Sequence, residues 1–297
     1  MKKENITKKQ HYIPRFYLER FTDNDGYLYI YDIENNYPFR TVPEKFGYER
    51  YLYETRLSKP NRNGEDFLLT NHIEDIFAQY EGKFDMFLKK LDRICTPNQR
   101  KNALILKSDE KKLLLSFIAN LVFRNPITMD YLHLDEVPDD IFEEDAKAKL
   151  NEFLSIIDVC NADELLLAAI KKVMLTDESE KNNIKSFIES NSDLHFTFFY
   201  SKGLQFITSS YPVILGNDIT VVSENKRCIF LALSPNLAVL YDNYDNSKEK
   251  NNRLGVVDDE VVEYCNMQQL KPIFNQNKYI IANSKELINR YFATKEG

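Results

Sequence analysis

His11 stands in the segment Gln10-His11-Tyr12-Ile13-Pro14-Arg15-Phe16-Tyr17-Leu18-Glu19-Arg20-Phe21, which sets one of only four histidines beside two arginines and four aromatic residues. Imidazole titrates near neutral pH, so a histidine here suits a general acid or base, or a metal ligand. The same ring bonded to a backbone carbonyl would instead anchor the segment, and the sequence leaves both readings open. Arg15 and Arg124 each offer a rigid fork of donors that fits a phosphate or a carboxylate. A structural ion pair is the competing reading, and for Arg15 the preferred one. Arg124 follows the nearly all-apolar run Leu113 to Phe123, so its charge is expected near the interior, where it requires a partner. Glu74 and Glu81 are the candidate partners, or else carboxylates facing a cleft. Their spacing puts both on one helix face, roughly 10 Å apart along the axis, which is long for two ligands of one metal. Phe77 and Phe84 flank Glu81 on that helix. Thr208, Ser209 and Ser210 end a strand before a Tyr-Pro turn, where hydroxyls bind a substrate phosphate or satisfy the local backbone.

Several chemistries are disfavoured. No GxSxG elbow surrounds the Thr208–Ser210 hydroxyls, His72 and His133 begin no HExxH motif, and His195 lies in a β-like run. There is no Walker A loop, no GxGxxG and no kinase set, so a common nucleotide-cofactor enzyme is disfavoured and no cofactor is assigned. Cys95, Cys160, Cys228 and Cys265 are too scattered for a zinc site or a disulfide framework, and no metal site is predicted. A net charge of -7 argues against broad charge-driven nucleic-acid binding, though not against a local basic cleft. Lys2, Lys3, Lys8 and Lys9, followed by Arg15 and Arg20, could touch nucleic acid; a solvated tail is the more frequent use of such a cluster. The first residues lack the apolar stretch of a signal peptide and no run reaches membrane-span length, which predicts a cytoplasmic protein with no membrane partner.

The positioning elements follow from periodicity. The 297 residues can bury a large core and are read as a single α+β domain over 1–297: strand-rich 27–55, helical 65–191, strand-rich 194–283, and a terminal helix over 284–292. Tyr27 to Ile33 alternates aromatic and aliphatic residues, Asn35-Asn36 is a turn signal, and Tyr37 to Val42 returns. A further short strand is expected at Tyr51 to Tyr53. Apolar residues at three- and four-residue steps predict helix from Phe67 to Ile94, and a buried helix capped near Ser108 should stop at Asn125-Pro126. Helices continue from about Asp130 to Asn191, over Asp135 to Asp145, Leu150 to Val159, Ala162 to Leu175 and Ser179 to Ser190. Lys202-Gly203 reads as a hairpin turn between Leu194–Tyr200 and Gln205–Ser209. Strands are expected at Ile219 to Val222, Cys228 to Leu233, Ala238 to Tyr241 and Tyr279 to Ala282, with Asp242 to Arg253 as a polar loop. Asp258 and Ser284 cap the last two helices. The expected architecture is a central helical layer on a mostly antiparallel sheet built from N-terminal and C-terminal strands.

In five places the chain resembles the domain-of-unknown-function 4238 family of bacterial proteins. These are His11-Tyr12-Ile13-Pro14-Arg15-Phe16 with Leu18 and Phe21; Glu74 with Glu81; Arg124-Asn125-Pro126; Phe206 to Val213; and Leu233-Ser234-Pro235 with the helix containing Asn266. The resemblance implies a shared fold and a shared site but supplies no reaction. Similar proteins usually carry an acidic residue and an Asn where this chain has Ser210 and Tyr211; if that acid is catalytic in the family, this member is either impaired or uses another carboxylate. The reading drawn from all of this is a phosphodiester hydrolase with His11, Glu81 and Arg124 as catalytic residues. Arg15, Glu74, Thr208, Ser209 and Ser210 would bind substrate, and nucleic acid or a nucleotide would be the partner. By analogy, a nuclease-like toxin or phage-defence effector fits. The competing readings are a module that binds a nucleotide or a protein partner, and an opening motif that merely staples the strands to the helices.

Overall fold

The computed structural model describes residues 6–96, 106–138, 141, 143–176, 182–193, 195–216, 228–242, 253–271 and 278–292. The opening segment begins as strand β1 (Lys9–His11), and Pro14 leads into a single helical turn, α1 (Arg15–Leu18). Ile13, Tyr17, Leu18 and Phe21 are all fully buried. The Tyr17 hydroxyl lies 2.9 Å from Thr208 Oγ1 and donates to the Ala232 carbonyl at 2.7 Å, so the segment is docked into the interior by bonds as well as by apolar area.

The alternating run forms β2 (Leu28–Asp32) and β3 (Tyr37–Thr41), joined through Asn36 at a φ of +52°. Asparagine tolerates that left-handed conformation at little cost. Next, β4 (Tyr48–Arg50) pairs antiparallel with β1, with Gln10 opposite Glu49 and His11 opposite Tyr48. Gly47 makes this approach: its φ is +69°, and an added Cβ would sit 3.1 Å from the Cβ of Ile13. The expected strand at 51–53 is a turn instead. Tyr51 takes a φ of +58°, which ends the ladder, and pairing resumes between β5 (Thr55–Arg56) and β6 (Phe67–Leu68).

Because Phe67 and Leu68 are used in that pair, α2 (His72–Ile94) starts at His72, after left-handed residues at Leu69 and Asn71. In α3 (Ser108–Phe123) the Glu110 carboxylate accepts from the Lys107 backbone N–H at 3.0 Å, so the cap lies one residue before Ser108. The helix ends before Asn125-Pro126 as expected, and Pro126 then opens a new short helix, α4 (Pro126–Tyr131). The helical block continues as α5 (Glu144–Ile157), α6 (Ala162–Leu175) and α7 (Asn183–Ser190). The helix expected over 135–145 does not form in its described part, where 135–138, 141 and 143 are turn, bend or irregular and α5 begins only at Glu144; residues 139, 140, 142 and 179 lie outside the described residues.

The remaining strands are β7 (His195–Ser201), β8 (Thr208–Ser209), β9 (Val213–Leu215), β10 (Cys228–Ser234), β11 (Leu237–Asp242), β12 (Arg253–Val257) and β13 (Tyr279–Ala282), with α8 (Asp259–Leu270) and α9 (Lys285–Phe292). The expected hairpin across Lys202-Gly203 does not form: β7 pairs with β11 and β12, and β8 pairs with β13. The intervening donors are spent elsewhere. Leu204 N–H goes to Asp259, Phe206 N–H to the Pro235 carbonyl and Ile207 N–H to Asn266. The stretch Ile219 to Val222 and residues 243–252 lie outside the described residues, and β12 is a strand that periodicity does not predict.

The fold is α+β. Its larger sheets run β12-β7-β11-β10-β9 and β3-β2-β13-β8, and the second interleaves N-terminal with C-terminal strands. One apolar cluster joins Ile13 and Tyr17 to Leu88 of α2, Phe117 of α3, and Phe198 and Val239 of the five-stranded sheet. No helix among the described residues is long and apolar enough to cross a membrane.

Candidate functional site

Arg124 is the centre of the site. It follows directly on α3, whose buried side chains are apolar apart from Asn120, and it is only 2 % exposed. A guanidinium so placed has to be satisfied internally. Its Nη1 donates to Glu81 Oε1 at 2.9 Å, its Nη2 to the His11 carbonyl, and its Nε lies 3.4 Å from the Tyr53 hydroxyl. The guanidinium also sits over the Phe77 ring, 4.3 Å from the centroid. The Tyr53 hydroxyl is 3.2 Å from the carbonyl oxygens of both His11 and Arg124. The segment carrying His11, the turn carrying Tyr53, the middle of α2 and the end of α3 are thus tied together at one arginine.

Around this lock two titratable atoms are left without a hydrogen bond among the described residues although they are buried: His11 Nε2 and Glu74 Oε2. Burial pushes the His11 pKa down, and the Arg124 charge adds to that; Glu81 and the Pro43 backbone act the other way. The imidazole is therefore held neutral at pH 7. Burial pushes the Glu74 carboxyl up to about 7, with Glu81 and Glu54 opposing its ionisation and Arg124 favouring it. A neutral imidazole and a carboxyl that titrates near neutrality are an acid–base pair in composition.

A second buried network braces the same strand. Gln10 Nε2 donates to Glu54 Oε1 at 2.7 Å and Gln10 Oε1 accepts from the Tyr53 N–H at 2.8 Å. Glu54 Oε1 also accepts from the Asn71 N–H at 3.0 Å, and the Lys171 ammonium donates to the Glu54 carbonyl at 2.9 Å. Burial raises the Glu54 pKa. Sequence patterns single out none of Gln10, Tyr53 and Glu54. Tyr53 carries no periodic signal because it sits in a turn, and Gln10 lies in the opening motif with a side chain whose type suggests no chemistry.

Of the residues expected at the site, His11, Glu81 and Arg124 are bonded together, and Glu74 lies within electrostatic reach of Arg124 and Glu81. Arg15 is half exposed and pairs with Glu19 at 2.9 Å and Glu44 at 2.7 Å. Thr208, Ser209 and Ser210 are buried and bonded within the fold: Thr208 to Tyr17, Ser209 to the Tyr211 carbonyl and Gln269, and Ser210 Oγ as acceptor for the N–H groups of Lys278 and Tyr279. They are linked to the arginine only through the backbone, where Asn125 Nδ2 donates to the Ser210 carbonyl at 2.8 Å. Asn125 also caps α4 through the Ile127 N–H at 3.1 Å. In Arg124-Asn125-Pro126 the arginine therefore locks, the asparagine caps and the proline starts a helix. Among the described residues no group of three or more His, Cys, Asp or Glu side chains is arranged to hold a metal ion.

No curated protein and no solved structure matches the chain. The family described as "Protein of unknown function (DUF4238)" matches residues 9–286, which takes in the opening motif, α2, the arginine lock and β13. The chain belongs to the DUF4238 family.

Proposed function

We propose that this chain is a hydrolase of phosphodiester or closely related bonds, with His11 and Glu74 as the proton-transferring pair. The observation that carries the reading is the pair of buried, unbonded titratable atoms, His11 Nε2 and Glu74 Oε2, beside a fully buried arginine. Burying a polar atom without a partner costs about 1–3 kcal/mol, and two such atoms around one cation support a reading in which both serve another purpose. In the reaction, neutral His11 takes the proton of an attacking water as the new P–O bond forms. Protonated Glu74 gives its proton to the departing oxygen as the old P–O bond breaks. Arg124 does not meet the substrate. It is a positioning residue that fixes the His11 backbone and Glu81, and its charge opposes protonation of His11. A nuclease-like toxin or phage-defence effector is the setting in which such an activity fits.

A second reading, a non-catalytic binding module in which the opening motif is a staple, is favoured by one observation. Each guanidinium nitrogen of Arg124 is already engaged inside the protein. The two readings separate in one experiment. Purified chain is incubated with RNA, single-stranded DNA and bis(p-nitrophenyl) phosphate, alongside folded Glu74→Gln. Hydrolysis that falls by about 100-fold or more in the variant supports the enzyme, as expected for removal of a general acid. No hydrolysis of any of the three, or equal rates in both proteins, supports the staple.

A further inference from the structure

Behind the turn that carries Leu52 lies a cleft of about 350 Å³, separate from the His11 and Glu74 side chains, which are not part of its wall. Its size is in the range of small-molecule sites. Glu49, Asp130, Asp135, Lys171 and Lys278 line it with both signs of charge. Leu52, Ile127 and Met129 supply an apolar wall. These charges act on one another only at longer range: Lys278 on Glu49, and Asp135 on Lys171, whose pKa burial pushes down. Among the described residues, no ion pair within 4.0 Å involves any of the five. Elsewhere in the molecule charges across element boundaries do pair, as in Arg20 with Asp92, Lys90 with Glu110, and Arg124 with Glu81.

Lys171 is the unusual member, at 7 % exposure. One of its three ammonium protons is held by the Glu54 carbonyl, which fixes the head group in the wall of the cleft. A buried ammonium with a single carbonyl partner still lacks a counter-charge at hydrogen-bond distance. Glu49 feels both Lys278 and Asp130: its carboxyl is raised by burial, with Lys278 acting against that and Asp130 in the same direction. A carboxyl raised by burial beside a second carboxylate makes a favourable place for an added cation.

The geometry points to this cleft as a binding site for a small zwitterion of the amino-acid or short-peptide class. Its carboxylate would be taken by Lys171 and Lys278, its ammonium by Glu49 and Asp130, and its apolar side chain would lie on Leu52, Ile127 and Met129. Three carboxylates in the wall disfavour a phosphorylated ligand, so this is not the substrate of the hydrolytic site. The two sites are neighbours through the chain. Leu52 and Tyr53 are consecutive, Pro126 follows the Arg124-Asn125 pair, and Lys171 holds the carbonyl of Glu54.

The test is calorimetric and needs no turnover, so its outcome is independent of whether the chain hydrolyses anything. L-leucine and L-leucyl-L-leucine are titrated into the purified chain, with N-acetyl-L-leucine and L-leucinamide as probes that each lack one of the two charges. At least one zwitterion should bind saturably, and each single-charge probe should bind about tenfold more weakly or worse. Lys278→Met and Asp130→Asn, both at exposed positions, should each weaken the zwitterion by about tenfold without changing the melting temperature. The proposal is overturned by absence of binding of both zwitterions up to about 10 mM, by probes that bind equally well, or by variants that bind as the wild type does.

Discussion

Glu74 and His11 give the stability of the protein a pH dependence whose sign can be worked out. The Glu74 carboxyl is raised in the folded chain from 4.5 to about 7. A raised acid contributes stability that is complete below the unfolded pKa and is lost as pH rises through the folded one. Stability should therefore fall between about pH 4.5 and pH 7 by up to about 3 kcal/mol, at 1.36 kcal/mol per unit. His11 works in the opposite window: its pKa is lowered, so its contribution is complete above 6.5 and is lost as pH falls toward the depressed value. Denaturant unfolding of Glu74→Gln should show this loss between about pH 4.5 and pH 7 removed, and a variant that keeps the wild-type slope would refute the assignment. At Gln10, substitution by Ala takes a donor from buried Glu54 and an acceptor from the Tyr53 N–H, and should cost about 2 kcal/mol by the same measurement. The partnership of Glu81 and Arg124 is legible in the sequence because eleven nearly apolar residues, Leu113 to Phe123, leave the following charge nowhere to go but inward. The roles of Gln10 and Tyr53 are not, because turn residues and amides bond by position in space, which no spacing rule records.

Among the elements, the arginine lock joins α2 to α3 and to β1. Removing one side of a buried ion pair leaves the other uncompensated, so Glu81→Leu should destabilise by about 3 kcal/mol. Arg124→Met in the Glu81→Leu background should restore part of that loss, because both charges are then gone and an apolar residue of similar length fills the site. A double-mutant cycle with no coupling would show that the lock is not energetically real. Helix identity is readable from periodicity at α3, α6 and α8. The hairpin expected at Lys202-Gly203 fails for a definite reason. Two β-like runs beside a glycine look local, yet β7 finds β11 and β12, the Leu204 and Ile207 N–H groups donate to Asp259 and Asn266 of α8, and β8 pairs with β13. β12 escapes sequence reading because Gly255 and its polar approach hide a strand whose pairing with β7 is parallel and distant in sequence.

Across the whole molecule, the opening segment and the C-terminal half are held as one. β13 pairs with β2 on one side and β8 on the other, and Tyr17 bonds to Thr208 and Ala232. Tyr17→Phe removes the hydroxyl that joins these parts through Thr208 and the Ala232 carbonyl, so it should lower stability by about 1 kcal/mol in thermal or chemical unfolding while leaving the His11 surroundings intact. The order of strands, helices and strands along the chain implies the α+β class and the mixed origin of one sheet. It does not imply the division into two larger sheets, which depends on long-range pairing choices. On the proposed reading, the docked opening segment delivers a working imidazole to a buried arginine lock. The rate of bis(p-nitrophenyl) phosphate hydrolysis at pH 7 is the decisive quantity, compared between the wild type and His11→Gln, each shown to have the same melting temperature. A measurable wild-type rate should fall by about 100-fold or more in the variant. A wild type without activity, or a variant as fast as the wild type, would remove His11 from the chemistry and leave the staple.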